Sequence, residues 1–161
     1  MNRFVVAETA VIDAPIGRVW DVISRTDRYA EWVAGVIEVT DHHGVAAVGR
    51  TYAERNRTLG PLRTASVWTV GEIEPFKRRV DTGAGFAPLQ DVTSTFEFRP
   101  VQSADGREVT EMLYQVEYAI ALGPLGLLLD AVQQPAMRVG MRTSMANLST
   151  LLRSEAPRSA R

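Results

Sequence analysis

From Ala136 to Arg153 the apolar residues Met137, Met141, Met145, Leu148 and Leu152 return every three or four positions. This spacing lines one face of an α-helix. Arg138, Arg142, Ser149 and Arg153 fall on the other face. Such a helix is held by burial of its stripe more than by propensity, so the chain before it must supply the cover. An unbroken helix from Gly123 to Arg153 would be about 45 Å long, against about 30 Å for the diameter of a small domain. Pro135 lacks a backbone donor and crowds the preceding turn, so it predicts a break at Gln134-Pro135 between a short helical piece, Leu125 to Val132, and the long helix.

Upstream, Phe4 to Ile12 is rich in β-branched residues and stops at Asp13-Ala14-Pro15, which predicts a strand followed by a helix start. Ile16, Val19, Trp20 and Ile23 then keep helical spacing, giving a short helix from Pro15 to Ser24. Thr26-Asp27 is a second cap signal, opening a short helix from Asp27 to Trp32 that ends near Gly35. Val36 to Asp41 reads as a strand with His42-His43-Gly44 as its turn. Strands then follow at Arg50 to Thr58, Arg63 to Ile73 and Phe76 to Thr82, separated by a Gly60-Pro61 turn and Pro75. After a loop at Gly83 to Pro88, Val92, Ser94, Phe96 and Phe98 alternate with polar residues along a strand to Arg99. Ser103 to Gly106 turns the chain into a long strand, Glu108 to Ala121, with Met112, Tyr114, Val116, Tyr118 and Ile120 on one face. Strands joined by short turns pair antiparallel, so the class is α+β, one sheet and one long helix.

Composition narrows the class. At 161 residues the chain suits one domain, long enough for a hydrophobic core. With 45% hydrophobic residues, 23% charged and a net charge of -1, it carries no general pull toward nucleic acid or an anionic membrane. Absence of cysteine excludes disulfide scaffolds, thiol catalysis and thiolate zinc sites. The apolar run at Phe4 to Ala7 is too short for a secretory signal and no stretch is long enough for a membrane span. The expectation is a cytoplasmic protein, residues 1–155 forming the domain and 156–161 a disordered tail.

Catalytic motifs are near-misses. Gly44 to Thr51 has phosphate-loop spacing, but Arg50 stands where lysine belongs and a strand follows where the motif requires a helix N-terminus. Gly83-Ala84-Gly85 lacks the third glycine of a dinucleotide fingerprint, with Pro88 in its place, and reads better as a mobile loop. His42 and His43, the only histidines, are adjacent and would point to opposite faces of a strand, so an exposed polar turn outweighs a metal site. No cofactor or metal is expected. Neither histidine is joined by a Gly-x-Ser-x-Gly nucleophile turn, which argues against a serine hydrolase.

Ile12-Asp13-Ala14-Pro15 leading into Val19-Trp20-Asp21-Val22-Ile23, then Asp27-Arg28-Tyr29-Ala30-Glu31-Trp32, resembles the opening signature of the START-like, or SRPBCC, superfamily. Glu72 to Arg79 is similar to its mid-chain strand-turn-strand, and Gly123-Pro124-Leu125-Gly126 to the start of its closing helix. The resemblance implies a helix-grip fold: a curved antiparallel sheet of about seven strands wrapped on the C-terminal helix, two short helices after the first strand, and a cavity between sheet and helix. It also implies the polyketide cyclase/dehydrase and lipid-transport group, whose members bind hydrophobic molecules and include cyclases and hydrolases.

That resemblance raises a pocket reading for residues that singly read equally well as core. Met112, Met137, Met141 and Met145 would line both sides of a cavity with adaptable side chains. Phe98 shares their apolar environment, Tyr52, Trp68, Tyr114 and Tyr118 each add one polar atom to a large ring, and Trp32 is expected at the cavity entrance. Trp20 is assigned to the core. If Tyr52 points inward, alternation turns Glu54 and Asn56 inward too. Glu54 would then be the candidate acid or base, its pKa raised by desolvation. Three readings stay open: a binder of a hydrophobic small molecule such as a lipid, quinone or polyketide-like compound, a cyclase or dehydratase using the same cavity, and a protein-interaction module with a filled core. Pairing with a second copy of the chain also stays open.

Overall fold

A computed structural model describes residues 2–57 and 63–156. The expected Gly60-Pro61 turn and the tail from residue 157 onward lie outside the described residues. Strand β1, Asn2–Ile12, runs into helix α1, Ile16–Ile23, then a single 3₁₀ turn at Thr26–Arg28 and the one-turn helix α2, Tyr29–Trp32. Six strands follow: β2, Val36–Thr40; β3, Thr51–Arg57; β4, Arg63–Glu74; β5, Arg78–Ala84; β6, Leu89–Gln102; and β7, Glu108–Ile120. Helix α3, Pro124–Ser154, closes the chain.

The seven strands form one antiparallel sheet in the order β1-β7-β6-β5-β4-β3-β2. Sequential neighbours pair from β2 to β7, as short connections dictate. The exception is β1, which lies beside β7 in a register running from Asn2 opposite Ile120 to Ile12 opposite Thr110. Register shifts at Val36/Glu38, Val70/Glu72 and Gln90/Thr93 bend their strands and add twist. The bent sheet partly encloses α3, so the fold is the helix grip.

The predicted stripe is the buried face of α3. Met141, Met145, Leu148 and Leu152 are buried and Met137 is half-buried. Polar contacts fix the helix over the sheet. Ser144 accepts a hydrogen bond from the Ala34 amide at 2.9 Å, Asn147 donates to the Trp32 carbonyl at 3.2 Å, and Arg18 donates to the Leu152 carbonyl at 2.8 Å. On the edge strand, Arg138 donates to the Ala7 carbonyl and pairs with Glu8.

The expected break at Pro135 does not occur: α3 is continuous over 31 residues, about 46 Å at 1.5 Å per residue. The missing donor at Pro135 strands the carbonyl of Ala131, but both residues are solvent-exposed, so water can take the place of the lost bond. The length problem is met in another way. The first turns are only lightly covered, Leu125, Leu128 and Val132 being 64–69% exposed, while Gly126 lets the helix start close against Ile120.

Candidate functional site

The interior is packed at the end near α1 and α2. Ile12, Val19, Ile23, Trp32, Met112, Met145 and Leu148 form one buried cluster there. A second cluster, around Val6, Val92, Val116, Ile120 and Met141, lies toward the other end. A cleft of about 380 Å³ opens between α3 and the sheet. Met137, Gly140, Met141 and Ser144 form its helix wall, Trp68, Val92, Tyr114 and Val116 its sheet wall, and Phe86 joins them from the loop between β5 and β6. Trp68 and Tyr114 also line a small inner pocket of about 30 Å³, together with Tyr29, Val33, Tyr52, Glu54, Ser94 and Phe96.

Strand alternation builds this inner end. On β3, Tyr52 and Glu54 turn inward and are 2% and 6% exposed. The β3–β4 register sets Tyr52 opposite Trp68 and Glu54 opposite Ser66. Trp68 therefore reaches diagonally to donate its indole N–H to Glu54 Oε2 at 2.9 Å, and Ser66 approaches the same oxygen at 3.5 Å. Burial pushes the Glu54 carboxyl up to about 7, and the indole hydrogen bond, which favours the charged form, only partly offsets it. A carboxyl titrating near neutrality can accept or donate a proton.

Beneath it lies a buried ion pair that the charge pattern had not suggested. Arg79 and Asp81 are fully buried on β5, joined at 2.7 Å. Tyr52 donates to Asp81 at 2.7 Å, Arg79 donates to the Ile23 carbonyl at 2.7 Å, and its guanidinium lies 4.8 Å from the centre of the Tyr29 ring. The guanidinium is thus committed to Asp81 and the fold, which leaves Glu54 as the carboxyl at the inner end without an ion-pair partner among the described residues.

Gly83 is required at the cleft wall. A Cβ there would come within 2.8 Å of both Phe86 and Trp68, whose rings pack 5.2 Å apart across that gap.

The structure gathers Tyr52, Glu54, Trp68, Tyr114, Met137 and Met141 around cleft and inner pocket. Other expected lining residues lie elsewhere. Trp32, expected at the entrance, is wholly buried, packed edge-on to Tyr29 and Phe96, because α2 folds back under α3. Phe98 packs edge-on to Trp20 in the core. Met112 and Met145 fill the same cluster, and the Tyr118 hydroxyl is engaged by Asp130 of α3. Burial, with the Asp130 hydrogen bond as a second cause, raises its pKa to about 12. Tyr29, Ser94 and Phe96 were not singled out as site residues. For Ser94 and Phe96 the signal was present, since they share the inward face of β6 with Val92.

His42 and His43 are exposed in the turn after β2. A larger groove, about 710 Å³, crosses the outer face of the sheet. Its charges largely answer one another: Lys77 meets Glu74 at 2.6 Å and Arg99 meets Glu111 at 2.6 Å. No helix among the described residues is long and apolar enough to cross a membrane.

The family model "Polyketide cyclase / dehydrase and lipid transport" matches residues 3–153, so the chain belongs to that family. Solved structures agree on the fold. Protein TTHA0849 from Thermus thermophilus superposes with a TM-score of 0.76 at 15% identity, covering 96% of this chain and 100% of that one. The Zhui aromatase/cyclase from Streptomyces sp. R1128 gives 0.75 at 12% identity, covering 99% of each chain. Protein CV1439 from Chromobacterium violaceum gives 0.70 at 20% identity, covering 92% and 96%. No curated protein matches the chain.

Proposed function

We propose that the protein binds a hydrophobic small molecule in the cleft between α3 and the sheet, to carry it or to sequester it. The observation that carries this reading is the cleft itself: an apolar opening of about 380 Å³, within the range of small-molecule sites, that leads toward a buried polar end. Affinity comes from apolar area leaving water, about 25 cal/mol per Å². Met137 and Met141 suit ligands of varied outline because their side chains are unbranched and flexible. Membership of a family described by cyclisation, dehydration and lipid transport supports the same reading. Native mass spectrometry of freshly purified protein tests it. A retained hydrophobic compound is the expected result, and protein of bare mass that also fails to take up any compound from a hydrophobic library would overturn it.

A second reading is favoured by one observation. Glu54, buried at the inner end with its pKa near 7, is suited to proton transfer in a cyclisation or dehydration. In that case Glu54→Gln abolishes turnover of a candidate substrate while weakening its binding far less. Turnover unchanged in that variant would remove Glu54 as acid or base.

A further inference from the structure

We propose that the inner pocket is a recognition subsite for an uncharged ring hydroxyl, a phenol or an enol, and that it turns carboxylates away. This rests on the reading of the cleft as the ligand's seat, and it specifies which head group the ligand carries.

The hydrogen-bonding inventory of the pocket is lopsided. Tyr29 Oη and Ser94 Oγ are buried with no partner in hydrogen-bond geometry, although the Tyr114 hydroxyl lies near Ser94. Glu54 Oε2 takes both the Trp68 indole and Ser66, while Oε1 accepts no hydrogen bond among the described residues. Hydroxyls this deeply buried are normally satisfied, so those of Tyr29 and Ser94, lining the pocket with the Glu54 carboxyl, call for a group that supplies both a donor and an acceptor. The space, about 30 Å³, admits about one water-sized group. The walls are rings: Tyr29, Tyr52, Trp68, Phe96 and Tyr114. Only the hydroxyl enters this space; the ring that bears it stays in the cleft against Trp68 and Tyr114, which line both cleft and pocket.

Three kinds of head group can be compared. A hydroxyl gives its proton to Glu54 Oε1 and accepts from Tyr29 or Ser94, so donor and acceptor sides of the pocket are both answered. At about pH 8, where Glu54 is ionised, a quinone or ketone oxygen only accepts; it serves the two hydroxyls and leaves the carboxylate facing a lone pair. A carboxylate is worse placed, because it sets a second negative charge beside Glu54. The nearest guanidinium cannot compensate, since Arg79 is already committed to Asp81 and to the Ile23 carbonyl. The subsite therefore disfavours fatty acids and favours hydroxylated rings.

Three probes that share one ring system test this with the unsubstituted full chain: 2-naphthol, 2-methoxynaphthalene and 2-naphthoic acid, titrated calorimetrically at about pH 8. The expected order is 2-naphthol about tenfold tighter than its methyl ether, the size of one charge-assisted hydrogen bond, with 2-naphthoate weakest. In Glu54→Gln the advantage of the naphthol over its ether shrinks to about twofold and the naphthoate gains. Naphthol and ether binding equally, or naphthoate binding as tightly as naphthol to the unsubstituted protein, would overturn the subsite and leave the cleft reading standing. Binding of none of the three would sink both together. The comparison among probes needs no variant, so a folding defect in Glu54→Gln cannot mask the answer.

Discussion

Glu54→Gln should change the pH dependence of stability in one direction only. The carboxyl has an ordinary value of 4.5 and is pushed up to about 7 by burial. Below about pH 4.5 it is protonated in both folded and unfolded chains, and its contribution to stability is fully present. As pH rises toward 7 the unfolded chain releases the proton while the folded protein keeps it, so stability falls; above the folded value the loss is complete. The two values lie about 2.5 pH units apart at about 1.4 kcal/mol each, which gives a loss of about 3 kcal/mol. Glutamine imitates the protonated form and cannot ionise. The variant should match the parent near pH 4 and exceed it by up to about 3 kcal/mol near pH 8. Urea denaturation followed by tryptophan fluorescence at several pH values measures this, and subtracting the two profiles cancels the other titrating groups. A difference that stays constant from pH 4 to 8 would refute the burial of an ionisable carboxyl at this position.

Other perturbations have equally definite outcomes. Asp81→Ala leaves Arg79 charged and unpaired in the core, and chemical denaturation should register a loss of about 3–5 kcal/mol; a loss under 1 kcal/mol would mean the pair is solvated. Gly83→Ala drives a methyl into the Phe86 and Trp68 rings, costing about 1–3 kcal/mol by thermal unfolding and weakening 2-naphthol binding, whereas unchanged binding would separate that wall from the ligand. Leu148→Ala, at a fully buried position on α3, should cost about 2–5 kcal/mol in denaturation midpoints.

Much of this was legible because periodicity reports burial. The stripe from Met137 to Leu152 and the alternation from Val92 to Phe98 each present an apolar face that the fold buries. The orientation of Glu54 was legible only conditionally: strand alternation ties it to Tyr52, and Tyr52 is inward. What stayed hidden depends on distant partners. A proline inside a helical pattern reads as a break unless one knows that Ala131 and Pro135 face water. Nothing in the local pattern marks Arg79 and Asp81 as a buried pair, although opposite charges two apart on a strand share a face and can neutralise each other within a core. Trp32 reads as a rim residue until α2 is seen to fold beneath α3, which no local spacing reveals. Four of the five misplaced lining residues, Trp32, Phe98, Met112 and Met145, share one cause: facing the interior is not the same as facing the cleft, and the interior near α1 is filled; the fifth, Tyr118, packs in the second cluster with its hydroxyl on Asp130.

The central claim is that the gap between α3 and the sheet receives the ligand. Methionine methyl NMR tests it directly, because Met137 and Met141 line the cleft while Met112 and Met145 belong to the filled core. On titration with 2-naphthol the account predicts large shifts at Met137 and Met141 and small ones at Met112 and Met145. Binding accompanied by shifts at neither cleft methionine would contradict it.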